Sequence, residues 1–226
     1  DQISIPQSFI SFRMAVYLSF IKRYFSDLPG YVFYVLYKLR ININKYYTTC
    51  LARMALKFKG IQLGKNCVFF GRPVFVRIPR STIKIGDHCT FRSDKISNLV
   101  GVNRRCIIST HGKNATIIVG QHCGFSGVTI GAKEKVVIGD HVLVGANVII
   151  SDFDWHNLSS LDRRAACTVT KPVIIENNVF IGVNAVIWKG VRIGENSIIG
   201  ANSVVTRDIP SNCIAGGNPA RVIKHL

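Results

Sequence analysis

The sequence is short of acidic residues. Of its 226 residues only 12 are Asp or Glu, against 29 Lys and Arg, so the formal net charge is +17. The sequence also lacks any apolar run of the roughly 18 residues that a membrane-spanning helix needs, and it shows no cleavable signal pattern. With 48% hydrophobic and 18% charged residues, the chain is not of the disordered class. We expect a folded protein with a sizeable core and no spanning helix.

Cysteine occurs in a number that argues against a disulfide framework. The seven cysteines are odd in number and are spread over a chain long enough to fold without cross-links. The positive charges are dispersed too, and no nucleic-acid recognition motif accompanies them. We expect reduced thiols in a cytoplasmic protein that binds no nucleic acid and is at most peripheral on the inner face of the plasma membrane.

The composition and residue pattern of the sequence change near residue 60. Residues 1–60 combine aromatic and aliphatic stretches with scattered cations, and Asp27, Pro29 and Gly30 indicate a turn between two helices. Basic amphipathic helices of this kind suit an anionic membrane surface. The same apolar faces could instead cap the open end of a coil. The sequence leaves both interpretations open.

From residue 61 onward the sequence is repetitive. Ile85-Gly-Asp-His-Cys-Thr-Phe91 has counterparts that include Val102-Asn-Arg-Arg-Cys-Ile-Ile108, and their spacing is close to eighteen residues except for one doubled interval between Ile138 and Ile175. A helix would need spacings of three and four. Six-residue sides instead predict a triangular coil of parallel strands. The clearest six-residue period comprises Ile175, Ile181, Ile187, Ile193, Ile199 and Val205.

The repeat accounts for most cysteines and histidines. One position calls for a small inward side chain, and an outward turn position holds Asn or His. The Gly, Asp or Asn after the aliphatic suits corners where the chain turns and φ may be positive. We therefore predict core packing and turns for these residues, not metal or redox chemistry. The inward cysteines are Cys67, Cys89, Cys106, Cys123 and Cys213, and the turn histidines are His88, His122 and His141.

The end of the chain carries a specific resemblance. Lys171-Pro-Val-Ile-Ile-Glu-Asn-Asn-Val-Phe-Ile-Gly-Val-Asn-Ala-Val-Ile187, Gly200-Ala-Asn-Ser-Val-Val-Thr-Arg-Asp-Ile-Pro210 and Gly217-Asn-Pro-Ala-Arg-Val-Ile-Lys224 resemble the hexapeptide-repeat acyltransferases. The similarity is to the galactoside and maltose O-acetyltransferases and to polysaccharide O-acetyltransferases. It implies an all-β solenoid, a left-handed parallel β-helix over 61–226 after the helical segment 1–60. It also implies a homotrimer that places acetyl-CoA between neighbouring coils.

A loop at about residues 151–171 interrupts the repeat and is the candidate site of chemistry. It contains His156, and imidazole titrates near neutrality, so it can take the proton of an attacking hydroxyl. A general base needs its other ring nitrogen held, and Asp152 and Asp154 are both candidates. The family motif has an arginine seven residues after this histidine, which Arg163 matches as a substrate-binding residue. The resemblance implies direct attack on acetyl-CoA with no acyl-enzyme.

The resemblance also assigns residues to the two substrates. For acetyl-CoA it implies that backbone groups at two corner positions bond the pantetheine arm and that an aromatic side chain lines the groove. It also implies that cations and a hydroxyl contact the adenosine phosphates, since these groups bind anions. On the acceptor side the family often has an asparagine near residues 125–127, where Ser126 stands instead. The cofactor set is Phe180, Val183, Ala201, Thr206, Arg207, Arg221 and Lys224.

Other functions compete with transfer of acetyl to a sugar or glycan hydroxyl. One is N-acetylation of an aminosugar or an antibiotic. Another is a metal-binding β-helix of the γ-carbonic anhydrase type, which needs three histidines including a pair five residues apart, and the histidines here do not have that spacing. A non-enzymatic scaffold would leave the loop histidine and the CoA-like tail unexplained. We therefore expect an O-acetyltransferase that uses acetyl-CoA and no metal.

Overall fold

One long helix and a coil of short strands make up the described part of the chain. The structure is a computed structural model that describes residues 26–157 and 169–226. The first of the two expected helices, within residues 1–25, and the loop residues 158–168 lie outside the described residues. None of the described helices combines the length and apolarity needed to cross a bilayer.

Helix α1 spans Leu28–Phe58. It starts at the expected turn, where Oδ1 of Asp27 accepts a hydrogen bond from the amide of Gly30 (3.1 Å). Its 31 residues include five Lys and Arg and no acid. A boundary between two compact units falls after Ile43. Before that boundary the large apolar side chains of the helix are mostly exposed: Leu28, Val32, Phe33, Tyr34, Val35, Leu36, Leu39 and Ile43.

From Asn44 the helix contacts the beginning of the coil. Oγ1 of Thr48 donates to the carbonyl of Phe69 (2.6 Å), and Arg53 donates to the carbonyl of Cys67 (3.3 Å). Ala52 and Leu56 are buried in the same core as the coil residues. This part of α1 therefore covers the first turn of the coil with an apolar face and satisfies carbonyls that have no preceding turn to pair with.

The strands form three ladders, one on each side of a triangular coil. The first sheet contains β1 (Gln62–Leu63), β4 (Thr82–Ile85), β7 (Thr116–Val119), β10 (Lys135–Ile138), β13 (Val173–Ile175) and β16 (Arg192–Ile193). The second contains β2 (Val68–Phe70), β5 (Thr90–Arg92), β8 (Gly124–Ser126), β11 (Leu143–Ala146), β14 (Phe180–Ile181), β17 (Ile198–Ile199), β19 (Cys213–Gly217) and β20 (Ala220–His225). The third contains β3 (Val74–Val76), β6 (Ile107–Thr110), β9 (Thr129–Ala132), β12 (Ile149–Ser151), β15 (Val186–Ile187) and β18 (Val204–Val205).

Up to β18, consecutive strands belong to successive sheets, so each turn of the coil, or rung, visits the three sides in order. All ladder pairs are parallel except β19 with β20, which closes the coil with an antiparallel strand. The expected all-β solenoid, a left-handed parallel β-helix with an α-helical N-terminal segment, is confirmed. Aliphatic side chains stack inside it from rung to rung, as with Ile117 on Val136 and Ile83.

The turn histidines lie in tight corners of the coil. His88, His122 and His141 have φ of 58°, 56° and 57°, in the left-handed region, like the asparagines that replace them in other rungs. Their rings stack in parallel, with centroids 4.7 Å apart for His88 and His122 and 4.9 Å apart for His122 and His141. The prediction that they are turn residues is therefore confirmed.

The glycines after the aliphatic residues allow the backbones of neighbouring rungs to approach closely. The expectation that they adopt positive φ is wrong. Gly86 follows Ile85 and lacks a positive φ; that conformation falls two residues later, at His88. A Cβ on Gly86 would lie 2.6 Å from the carbonyl carbon of Gly120 in the next rung. Glycine is required here because stacked rungs bring backbones together at this corner.

One rung of the expected register is wrong. Residues 102–108 do not open a new rung, because β6 belongs to the third sheet and follows β5 after an excursion of residues 93–106. The repeat is therefore interrupted twice. Cys106 lies at a different corner from the other four inward cysteines, although it is equally buried. The excursion matters for the site because it contains a short 3₁₀ helix, Lys95–Ser97, and Asn98.

The five inward cysteines are buried, as expected, with at most 2% of each residue exposed to solvent. The thiols of Cys67, Cys89 and Cys123 each donate to a carbonyl of the following rung, at 3.1–3.2 Å. The six cysteines of the described residues are free.

We expect the inward thiols to react slowly with an alkylating reagent, because burial raises the pKa of Cys106 and reagents attack the accessible thiolate. Cys50 is exposed and provides a fast internal standard. In a Cys167→Ser variant, mass spectrometry at short times should find label at Cys50 alone. Rapid labelling of Cys67 or Cys89 in the folded protein would contradict the packing described here.

Candidate active site

Asp152 anchors the loop that follows β12. Its side chain is fully buried; Oδ1 accepts from the amide of Lys133 (2.7 Å), and Oδ2 accepts from the amides of Glu134 (2.8 Å) and Lys135 (2.5 Å). Burial raises the pKa of this carboxyl, and the three amides oppose that shift. The carboxylate therefore ties the start of the loop to the corner between β9 and β10.

Asp154 ties the same loop to the following rung. It forms an ion pair with Lys189, which comes directly after β15. Backbone amides of the preceding rung and the side chain of Lys189 in the following rung thus hold Asp152 and Asp154, so the segment 152–154 has a fixed position. These contacts give Asp152 and Asp154 structural tasks. A role for either in orienting His156 stays a prediction.

An aromatic cluster fills the space between the anchored residues. The ring of Phe153 lies 4.8 Å from that of Trp155, and His111 lies 5.1 Å from Phe153 and 5.0 Å from Trp155, between ring centroids. Nε2 of His111 is hydrogen-bonded to Oγ of Ser109 (2.8 Å). The sequence reasoning did not single out His111 as a site residue. The signal was available, because His111 follows a strand outside the turn position of the repeat.

The cluster should loosen in acid. Burial lowers the pKa of His111, aided by the charge of Lys133 and opposed by that of Asp152. A histidine whose pKa falls on folding stabilises the fold above its unfolded pKa, and this contribution is lost as the pH falls below about 6.5. In a Trp188→Phe variant, which leaves Trp155 as the single tryptophan, the emission of Trp155 should shift to the red between about pH 7 and pH 5. The shift should be absent after His111→Asn; a shift of equal size in that variant would exclude His111 as its cause.

His156 directly follows the aromatic cluster and is exposed. It therefore stands on the outer side of an anchored loop. Arg163 lies outside the described residues.

A groove runs along the outer face of the second sheet. Its volume is about 420 Å³, and among its lining residues are Ser126 and Phe180, one expected at the acceptor and the other at acetyl-CoA. Nδ2 of Asn98 donates to Oγ of Ser126 (3.1 Å). Asn98 comes from the excursion after β5, so the groove does contain an asparagine, supplied by a part of the chain that sequence reasoning did not consider. The stacked His88 and His122 line its other edge.

The expected cofactor residues fall into two groups. Val183 and Ala201 follow β14 and β17 in successive rungs, at the corner between the second and third sheets, where the amide of Asn202 donates to the carbonyl of Val183 (2.8 Å). Arg221 and Lys224 lie on β20, paired with β19 on the second sheet. Thr206 and Arg207 instead follow β18, at the corner between the third and first sheets, which we call the loop corner.

The strand order sets the two groups on opposite sides of one coil. His156 follows β12 of the third sheet, and the next strand, β13, belongs to the first sheet, so His156 also belongs to the loop corner. In a triangular coil that corner is opposite the second sheet, which carries the groove. Within one chain the structure therefore brings His156 together with Thr206 and Arg207 on one side, and Ser126 with Phe180 on the other.

Comparison with known proteins identifies the repeat. Residues 135–151 and 172–207 match the family model described as the hexapeptide repeat of succinyl-transferase. The chain is 40% identical over 115 residues to a galactoside O-acetyltransferase of Lactococcus lactis and 41% identical over 117 residues to that of Escherichia coli. The chain therefore contains the hexapeptide repeat and resembles acetyltransferases built on it. These matches cover 51% and 52% of this chain and 55% and 57% of the relatives, so the hexapeptide-repeat chain spans little more than half the length of the relatives it matches.

Solved structures share the architecture. A hexapeptide-repeat acetyltransferase from Vibrio cholerae matches 83% of the chain and 93% of its own, at 28% identity and a TM-score of 0.50. AntD, an N-acyltransferase from Bacillus cereus solved with dTDP and coenzyme A, matches 76% of the chain and 88% of its own, at 20% identity and a TM-score of 0.57. At that identity the second likeness concerns the fold alone. Within residues 26–157 and 169–226 of the hexapeptide-repeat chain, no group of three His, Cys, Asp or Glu could hold a metal ion.

Proposed function

We propose that the protein is an O-acetyltransferase that moves the acetyl group of acetyl-CoA to a hydroxyl of a sugar or surface glycan. The observation that carries this proposal is the 40–41% identity to two galactoside O-acetyltransferases. An exposed histidine on a loop anchored to a rigid coil supports it, because such a scaffold can hold a general base in a fixed position.

His156 acts as the general base. Its neutral imidazole accepts the proton of the acceptor hydroxyl while the hydroxyl oxygen attacks the thioester carbonyl. The tetrahedral intermediate then expels the sulfur of coenzyme A, and the proton on His156 neutralises the leaving thiolate. No acyl-enzyme forms. The burial of the five inward cysteines agrees with this, since none of them is accessible as a nucleophile.

The cofactor lies against Phe180 and the corner of Val183 and Ala201. Arg221 and Lys224, together with Thr206 and Arg207, face the phosphates of the adenosine end, where fixed cations and a hydroxyl donor favour phosphate oxygens. Ser126 contacts the acceptor, positioned by its hydrogen bond from Asn98, and Arg163 contributes from the loop.

Each active site is shared between two subunits of a homotrimer. The support for this is topological: the loop corner and the second-sheet groove lie on opposite sides of one coil, so the two groups can meet only when coils from two chains pack side by side. A ring of three coils makes this contact three times, with a different surface on each side of it.

Mixing two inactive variants tests the shared site. We would co-express His156→Ala with Ser126→Tyr, which fills the groove, and assay acetyl transfer. In randomly mixed trimers about one site in four combines an intact loop with an intact groove, so about a quarter of wild-type activity should return. A site contained in one subunit would give no recovery. Each variant assayed alone is the control for residual activity.

A direct assay tests the reaction itself. The protein and acetyl-CoA would be incubated with a panel of methyl pyranosides, including methyl β-D-galactopyranoside, and with the matching aminosugars. The proposal predicts a product heavier by one acetyl group on a hydroxyl, identified by mass spectrometry and alkaline release of the ester. An alkali-stable product found only with aminosugars would favour N-acetylation instead. That alternative has its own support, a match of 53% identity over 53 residues to a Staphylococcus aureus 2,3,4,5-tetrahydropyridine-2,6-dicarboxylate N-acetyltransferase.

The N-terminal segment adds a peripheral membrane contact. Between Leu28 and Ile43 helix α1 exposes Phe33 (72%), Tyr34 (57%) and Val35 (61%). It carries Lys38 and Arg40 and no acid. Aromatic and aliphatic side chains together with basic ones favour an anionic bilayer surface.

Vesicle sedimentation tests the membrane contact. The full chain should sediment with vesicles containing phosphatidylserine and less with pure phosphatidylcholine, and salt should release part of it. Phe33→Ser combined with Val35→Ser should reduce the bound fraction, whereas Lys84→Ser, on the coil, should not. Equal binding of the wild type to both kinds of vesicle, or to neither, would exclude the anionic membrane contact.

A further inference from the structure

Trp155 presents a large apolar surface to solvent although its position is fixed. It is 49% exposed, and its ring is packed by Phe153 at an interplanar angle of 44° and by His111 at 75°. On a third side, a Cβ at Gly131 would lie 3.2 Å from Cζ2 of Trp155, so the indole edge rests on the bare backbone of β9. A side chain at position 131 would force the indole to shift by a few tenths of an ångström.

The backbone that leads to Trp155 is also held. Asp152 is fixed by three amides and Asp154 by Lys189. A solvent-exposed aromatic side chain usually keeps its freedom, and ordering it on binding costs affinity. Here the surrounding contacts have already restricted the ring. A rigid, half-exposed indole is therefore suited to bind a flat apolar surface with little loss of entropy.

The location of Trp155 selects the ligand. It immediately precedes His156, which must contact the acceptor hydroxyl if it is the base. The adenine of acetyl-CoA is separated from the reacting thioester by the pantetheine arm and the pyrophosphate, so it is not the flat group expected beside the base. A pyranose has one face made mostly of C–H groups and a rim of hydroxyls. The indole can pack against that face while a hydroxyl at the rim points to the imidazole.

We propose that Trp155 is the platform on which the pyranose ring of the acceptor packs, and that Phe153, His111 and Gly131 fix its angle. This inference rests on the proposed function, because it assigns the acceptor side of the same site. It makes Trp155 a substrate-binding residue and His111 and Gly131 positioning residues.

Steady-state kinetics with methyl β-D-galactopyranoside as the acceptor tests the platform. Trp155→Ala should raise KM for the galactoside about 10- to 100-fold, the effect of losing one well-packed aromatic surface. KM for acetyl-CoA should stay within about twofold. Trp155→Phe should recover most of the loss, and Gly131→Ala should raise the galactoside KM in the same direction by displacing the ring. Tyr46→Ala, which removes another exposed aromatic ring, on α1, is the matched control.

A binding measurement separates failure of the inference from failure of the proposed function. In a Trp188→Phe variant the emission of Trp155 should change on titration with methyl β-D-galactopyranoside in the presence of coenzyme A, whether or not transfer occurs. If the wild type acetylates pyranosides but Trp155→Ala leaves the galactoside KM unchanged, the platform is wrong and the function stands. If the galactoside leaves the emission unchanged, the platform is also overturned. Loss of the trimer in Trp155→Ala and in Trp155→Phe alike would assign the ring to the subunit contact instead.

Discussion

Replacing His156 with alanine should lower kcat about 10²- to 10⁴-fold, the usual contribution of a positioned general base. Because the side chain is exposed, its removal leaves no cavity in the core, so the thermal stability should stay close to that of the wild type. Acetyl-CoA binding, measured by calorimetry, should change little, since the proposed role of the imidazole is to act on the acceptor. Kinetic assays with saturating acetyl-CoA provide the measurement.

His111→Asn is the matched control for this experiment. His111 is the other histidine near the loop, but its ring is packed between Phe153 and Trp155 and bonded to Ser109. We expect it to act through the position of the loop, with a loss of activity well below that of His156→Ala. Activity of His156→Ala within a few-fold of wild type would remove His156 from the mechanism, and a larger loss in His111→Asn would move the base to that residue.

Replacing Phe91 with alanine should cost about 3–5 kcal/mol of unfolding free energy, the usual penalty for emptying a buried aromatic site. Phe91 is fully buried and lies between two other rings, 5.1 Å from Phe69 and 5.0 Å from Phe125, with Phe75 edge-on at 6.0 Å. Its loss interrupts a column that links three successive rungs, and neighbours held by parallel ladders cannot collapse into the space.

Urea denaturation provides the measurement for Phe91, with Phe91→Leu as the control. Leucine keeps most of the apolar volume and loses the ring contacts, so its cost should be clearly smaller. A loss of unfolding free energy below about 1 kcal/mol for Phe91→Ala would mean that the stacked rings contribute little to the stability of the coil.

The sequence was sufficient to predict those features that each rung repeats. The aliphatic period predicted the strands. The positions that His88 and Cys89 share with their counterparts placed the histidines in turns and the cysteines in the core. Such features depend on local sequence, because every rung meets an almost identical neighbour.

The missed contacts are made by residues that leave the repeat, Asn98 after β5 and Asp152 after β12. Asn98 reaches Ser126 across 28 positions of sequence, and the amides that hold Asp152 lie 17–19 positions before it, about one rung. The repeat gives the spacing of the rungs but does not show where a side chain outside it will turn. Residues 102–108 were assigned to a rung of their own because their pattern imitates the repeat, whereas the parallel pairing of β6 with β3 assigns them to the third side.

The position of the loop corner opposite the second-sheet groove has a consequence for newly made chains. A chain that has folded but not assembled would carry half of each of two sites and no complete site. It would bind acetyl-CoA only weakly and could not transfer the acetyl group to water or to other alcohols. If each site is shared between two subunits, as proposed, the first complete site would form when a second subunit joins, and activity would rise more steeply than in proportion to chain concentration at low expression. Fusion tags or surface substitutions that block the loop corner would then abolish activity without changing any catalytic or binding residue.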